Sequence, residues 1–137
     1  MKNNKTKTIL IILVCVFLWI AFLCFKDRSV TISKDSEEYS DFEINSAIVS
    51  AKLYFFMNFR DCELLTIGYV GDESIEAARA WAKDSNAGKA IILNMSFKSG
   101  SNWQETGLDP DKVYEKWQLI MIKRLGIFWF VKTNGYG

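Results

Sequence analysis

Residues Ile9 to Phe25 read ILIILVCVFLWIAFLCF, seventeen apolar residues in succession between Lys7 and Lys26. A helix that is apolar on every side needs either a large protein core or a bilayer around it. At about 1.5 Å per residue the run reaches roughly 25 Å, enough to span the hydrocarbon of a bilayer when the flanking lysines snorkel to its two interfaces. The chain is therefore expected to divide into a cytoplasmic tip (1–8), a transmembrane anchor (9–25), a juxtamembrane linker (26–39) and an extracytoplasmic domain (40–137).

A cleaved signal peptide also carries positive charge before an apolar core, but that core is shorter and ends at small residues. Here the exit is Phe22-Leu23-Cys24-Phe25. The same bulky Phe22 and Leu23 stand before Cys24 where an acylated lipoprotein cysteine would need small neighbours. A retained single-pass anchor is the reading taken. Lys2, Lys5 and Lys7 precede the run without any acid, whereas all 16 acidic residues follow it. By the positive-inside rule the N-terminus stays in the cytoplasm and the C-terminal domain is exported. Trp19, Cys15 and Cys24 also leave open a contact of the anchor with another membrane helix.

Residues 27–137 hold 13 basic and 16 acidic residues, a net of −3, which disfavours a nucleic-acid partner. Cys62 is the single cysteine beyond the apolar run, so no disulfide within the domain is possible, and Cys62 reads as a small buried hydrophobe. Histidine is absent. Without it there is no Ser-His-Asp triad, and the commonest neutral-pH base and metal ligand is missing. A Ser-Lys arrangement of Ser96, Ser99 or Ser101 with Lys98 is the nucleophilic variant left. Asp109 and Asp111 flank Pro110 as turn residues rather than as a calcium loop. The glycines have no phosphate-cradling spacing. No metal, cofactor or catalytic residue is expected.

Hydrophobic periodicity lays out the domain. Residues 29–39 show no period and read as a linker of about ten residues, with a reach of at most some 35 Å. Ser40 and Glu43 form a capping box, and Ile44, Ala47, Ile48, Ala51 and Phe55 make a helical stripe to about Phe59. Glu63–Val70 alternates as a strand, with Leu65, Ile67 and Tyr69 on one face and Leu64, Thr66 and Gly68 on the other. The turn at 71–74 supplies an N-cap for a short helix carrying Ile75, Ala78, Trp81 and Ala82, closed by Asn86-Ala87-Gly88. Strands follow at 90–98, 113–123 and 127–133, with a long loop at 99–111 and a tight connection at 124–126. The expected class is α+β, two helices on one face of a curved antiparallel sheet.

Leu108-x-Pro110-x-x-x-Tyr114-x-x-Trp117 is followed by Lys123-Arg124, Gly126, Trp129, Val131 and Gly135-Tyr136. Upstream stand Phe59-x-x-Cys62-x-Leu64 and a strand ending in Tyr69 before Asp72-Glu73. Together these resemble an uncharacterised family of exported and lipid-anchored domains from Gram-positive bacteria, over about residues 42–137. The sequence departs from that pattern where Val70-Gly71 separates the tyrosine from the acid pair, where Leu119 stands in place of an aromatic, and in a long loop richer in Glu, Gln and Trp. The resemblance implies the cone-shaped fold of nuclear transport factor 2, a curved sheet wrapped over the long helix with a concave face at the wide end.

Two functional classes follow. The last strand is apolar on both faces, Ile127, Trp129 and Val131 against Phe128, Phe130 and Lys132, and only one face can meet the helices. The other must meet the long loop, another copy of the chain or a partner protein, and an apolar patch left over after the core is filled reads as a binding surface. Trp103, alone in a polar loop, is the leading contact residue, with Tyr69, Tyr114, Trp117, Phe128 and Phe130 beside it. The first class is thus a non-catalytic binding or assembly module at the membrane surface, its partner another membrane or exported protein, with a homo-oligomer also open. The second is small-molecule binding or weak catalysis in the cone, using Tyr69, Tyr114, Asp72 and Glu115 as an acid-and-tyrosine set. Asp72 and Glu73 are otherwise read as acids at a helix start, where they complement the dipole.

Overall fold

The computed structural model describes residues 2–101 and 107–136, apart from the side chains of residues 2 and 23–26. Helix α1 (Lys2–Lys26) carries the apolar run. Within it Asn3–Phe22, with mean hydropathy 2.1, is long and apolar enough to cross a membrane, and none of that stretch is buried against the remaining chain. Phe17 and Leu18, for example, are exposed.

The long helix α2 (Asp41–Asn58) begins where the capping box places it: Ser40 Oγ accepts from the Glu43 N–H and Glu43 Oε2 accepts from the Ser40 N–H, both at 3.1 Å. Its buried residues are Ile44, Ala47, Ile48, Ala51 and Phe55, the stripe read from the periodicity. The remaining elements are β1 (Val30–Thr31), β2 (Glu63–Tyr69), a 3-10 turn (Asp72–Ser74), α3 (Ile75–Asp84), β3 (Lys89–Lys98), β4 (Val113–Arg124) and β5 (Phe128–Tyr136). The strands form one sheet in chain order, β1-β2-β3-β4-β5.

The class is α+β as expected, but four local expectations are corrected. First, the sheet is mixed: β1 lies parallel to β2, with Val30 beside Thr66, while the other pairs are antiparallel. Two residues carry no readable period, and the pairing is supplied by β2. Second, the helices lie on opposite faces. Helix α2 packs on Ile67, Ile91, Leu93, Met95, Leu119, Met121 and Trp129, whereas α3 packs Ala78 and Ala82 against Ala90, Ile92, Ile120 and Ile122. The cause lies in β3 and β4, whose alternate positions are apolar on both faces at one end and need cover from both sides. Third, a bulge between Leu64 and Thr66 puts Leu64 rather than Leu65 into the core with Ile67 and Tyr69, because one extra residue reverses the alternation. Fourth, no side-chain cap opens α3; its close lies at Asn86-Ala87-Gly88 as expected, with Asn86 (φ 50°) the left-handed residue.

Strand β5 runs to Tyr136, three residues beyond the expected end. Three residues, 125–127, connect the paired Arg124 and Phe128; Leu125 (φ 54°) and Gly126 (φ 74°) are both left-handed, and Ile127 N–H donates to Arg124 O at 3.3 Å. On the α2 side the core is filled with rings: Phe55 stacks on Phe59 at 5.0 Å and Phe97 on Tyr114 at 5.2 Å.

Candidate binding surfaces

The stretch read as a free linker is bonded along the sheet edge. Ile32 N–H donates to Ile67 O (3.0 Å), Lys34 N–H to Tyr69 O (3.2 Å), and Ser33 Oγ accepts from Tyr69 N–H (2.8 Å). Gly68 makes room for this strap, since a Cβ there would stand 1.8 Å from the Ile32 carbonyl oxygen. Further on, Tyr39 OH donates to Ala90 O at 2.6 Å from within the core. At the other end Asp27 pairs with Lys52 of α2 at 2.7 Å. Bonds from Lys52 and Ser29 outweigh burial, which acts the other way, and hold the Asp27 carboxyl below its usual range. Contacts therefore begin one residue after α1, and the ten-residue reach expected from the sequence is not available.

The acid-and-tyrosine set is only partly assembled. Tyr69 OH donates to Asp72 Oδ1 at 2.9 Å. The same carboxylate accepts from Ser36 Oγ (2.6 Å) and from the Glu37 N–H (3.0 Å). Those two bonds, ahead of the one from Tyr69, hold Asp72 below the usual carboxylate range. Burial, then the bond to Asp72, pushes the Tyr69 hydroxyl up. A general acid near neutral pH needs the opposite shift in its carboxyl. Asp72 stands at the helix start as expected, but its carboxylate clasps the strap instead of capping the helix through its side chain. Tyr114 is buried, its hydroxyl accepting from the Asp109 N–H at 2.9 Å, and Glu115 is exposed. Among the described residues no three His, Cys, Asp or Glu side chains converge as metal ligands. Burial pushes the Cys62 thiol up, away from thiolate character.

The aromatic candidates separate by environment. Trp117 meets Tyr114 at 5.6 Å and its indole N–H donates to Asn134 Oδ1 at 3.0 Å, so Trp117 and Tyr114 belong to the core's end, while Tyr136, 5.0 Å from Trp117, is exposed. Trp129 is buried against α2, its indole N–H donating to Ser46 Oγ at 3.1 Å. Phe128 and Phe130, on the opposite side of β5, are 51% and 53% exposed. The turn residues Leu125 and Ile127 beside them are exposed too. Trp103 lies outside the described residues.

Two features were not read from the sequence. One is an ionic cluster at the start of α2: Glu43 Oε1 accepts from Lys89 Nζ at 3.0 Å and from Lys123 Nζ at 3.1 Å. Lys89 also sits 4.9 Å over the Tyr39 ring and Lys123 5.4 Å over Trp129. Burial would raise the Glu43 carboxyl, but the bonds from Lys89, the Ser40 N–H and Lys123 bring it down to about 2. Residues 43, 89 and 123 are too far apart in sequence for any local pattern to join them.

The other is a groove of about 1020 Å³ on the α3 side of the sheet. It occupies the part of that face that α3 leaves bare. Thr66, Asn94, Ser96 and Gln118 contribute to its lining, with Trp81 and Ile92 toward α3. Alternation had marked Asn94 and Ser96 as one face of a strand, the signal that was available. A bulge of Glu115 and Lys116 (φ 56°) opposite Ser96 turns both residues to the groove's rim. Comparison of the chain with protein-family models, with curated proteins and with solved structures gives no match.

Proposed function

We propose that the chain is a single-pass membrane-anchored binding or assembly module, non-catalytic, whose domain works outside the cytoplasm close to the outer membrane surface of a Gram-positive cell. In this reading α1 is the anchor, its lysine-bearing N-terminus cytoplasmic, and the domain is a variant of the nuclear-transport-factor-2 cone with its interior occupied by side chains. The partner is another membrane or exported protein.

The observation that carries the reading is the outer side of β5. Phe128 and Phe130 stand half-exposed on a nine-residue edge strand whose opposite side chains, Trp129 and Val131, face the core. Half-exposed aromatics beside an unpaired strand edge favour capture of a protein surface or strand. The filled core and the strongly ionised Asp72 weigh against the small-molecule reading. The short path from α1 to the domain keeps that partner near the membrane.

The test is brief in-cell cross-linking of the tagged full-length protein, gentle detergent extraction and identification of what co-purifies. One stoichiometric membrane or exported protein, lost in a Phe128→Ser/Phe130→Ser variant that remains folded, supports the module. A lone monomer or homodimer overturns it.

A further inference from the structure

The groove on the α3 face goes beyond the assembly reading, because neither Phe128 nor Phe130 lines it. Its chemistry is distinctive for the middle of a sheet. Asn94 and Gln118 are direct cross-strand partners on β3 and β4, yet neither amide makes a hydrogen bond, and Asn94 Oδ1 is buried without a partner. A buried polar group left unpaired is costly, and native structures hold few of them. Beside them the Thr66 and Ser96 hydroxyls bond one another at 2.5 Å, and the Trp81 indole forms part of the wall below α3.

The occupant's chemistry follows from what the groove offers. The backbone groups of β2, β3 and β4 are already spent in strand pairing, so a ligand meets amides, hydroxyls and an indole rather than a strand edge. The rim charges balance: Lys34 is paired with Glu73 at 3.1 Å, and Lys116 stands next to Glu115. Neither a phosphate nor a polycation is favoured by such a rim. Side-chain amides and hydroxyls each donate and accept, as sugar hydroxyls do, and an indole face suits the apolar face of a sugar ring. The groove's volume of about 1020 Å³ stands at the top of the usual range for small-molecule pockets, with room for several linked rings. We propose that this groove binds a neutral glycan segment, with the Gln118 side chain and the amide nitrogen of Asn94 as its polar contacts and Trp81 as its stacking wall.

The test uses the full-length protein in lipid nanodiscs, which avoids sugar-headed detergents. Chitotetraose, cellotetraose and maltotetraose are each titrated to about 10 mM, roughly tenfold above a 1 mM dissociation constant, and followed by ligand-observed NMR, with tetra-alanine as the peptide control. Binding of at least one tetrasaccharide is expected, weakened at least tenfold in Asn94→Leu and in Gln118→Leu. Both variants replace an unbonded amide by an apolar group of similar size, so neither is expected to lower Tm. No bound tetrasaccharide, equal binding of tetra-alanine, or unchanged affinity in both folded variants overturns the proposal. If neither variant folds, the wild type decides: sugar protons must show contacts to the Trp81 ring, and contacts confined elsewhere overturn it. Protein capture through Phe128 and Phe130 is expected to survive Asn94→Leu, which separates this proposal from the assembly reading.

Discussion

Glu43→Gln isolates the ionic cluster that ties α2 to β3 and β4. Glutamine serves at the third helical position of a capping box as glutamate does, so the helix start is retained while the charge is removed. Lys89 and Lys123 then face one another without their common anion. The drop of the Glu43 carboxyl from its ordinary 4.5 to about 2 corresponds to about 3 kcal/mol at 1.36 kcal/mol per tenfold. The side chain is 18% exposed, and solvent screening brings the expected loss to about 1–2 kcal/mol. In a domain of roughly 100 residues this lowers Tm by roughly 5–10 °C. The pH dependence has a fixed sign. A carboxyl that titrates lower in the folded than in the unfolded chain contributes fully above about pH 5 and loses that contribution as the pH falls toward about 2. Thermal unfolding of full-length wild type and variant, followed by circular dichroism between about pH 7 and 2, is therefore expected to show a gap that closes in acid. A gap below about 0.3 kcal/mol at neutral pH, or one constant down to about pH 2, would refute the reasoning.

Tyr39→Phe removes the 2.6 Å bond from the tyrosine hydroxyl to Ala90 O; a loss of about 1 kcal/mol is expected in denaturant unfolding, with unchanged m-value. Asp72→Asn weakens the clasp on Ser36 and Glu37, so amide hydrogen exchange at residues 33–39 should rise while protection in β3 and β4 stays the same. Gly68→Ala places a Cβ against the Ile32 carbonyl and should expel the strap, raising exchange from Val30 to Lys34; an unperturbed strap would contradict the close approach. Phe55→Ala, at a fully buried site among Phe56, Phe59 and Phe97, should cost about 3–5 kcal/mol.

Legibility followed the range of the interaction involved. The Ser40–Glu43 box and the Ile44-to-Phe55 stripe sit within one helix, where spacing alone decides which residues share a face, and both were read correctly. The odd positions of β3 were equally clear. Leu64 was assigned to the wrong face because a bulge is invisible to alternation, whereas the close of α3 at Asn86-Ala87-Gly88 was legible, its left-handed residue being Asn86. Among the nominated contact residues, Phe128 and Phe130 are open to solvent, whereas Tyr69, Tyr114 and Trp117 are each held by a hydrogen-bond partner, 3, 5 and 17 residues away in the chain. The groove escaped notice because its lining comes from three strands, the strap, the 3-10 turn and α3, segments that no local period joins.

The sequence by itself determined that the chain carries one helix able to span a bilayer and one α+β domain without a disulfide, since composition and local period dictate those features. Tertiary structure decided which face each helix covers, whether residues 29–39 are tether or strap, and which side chains lose or keep their partners. Those outcomes depend on how β3 and β4, apolar on both faces at one end and polar on one face at the other, are covered by helices whose own sequences do not record which side they will take.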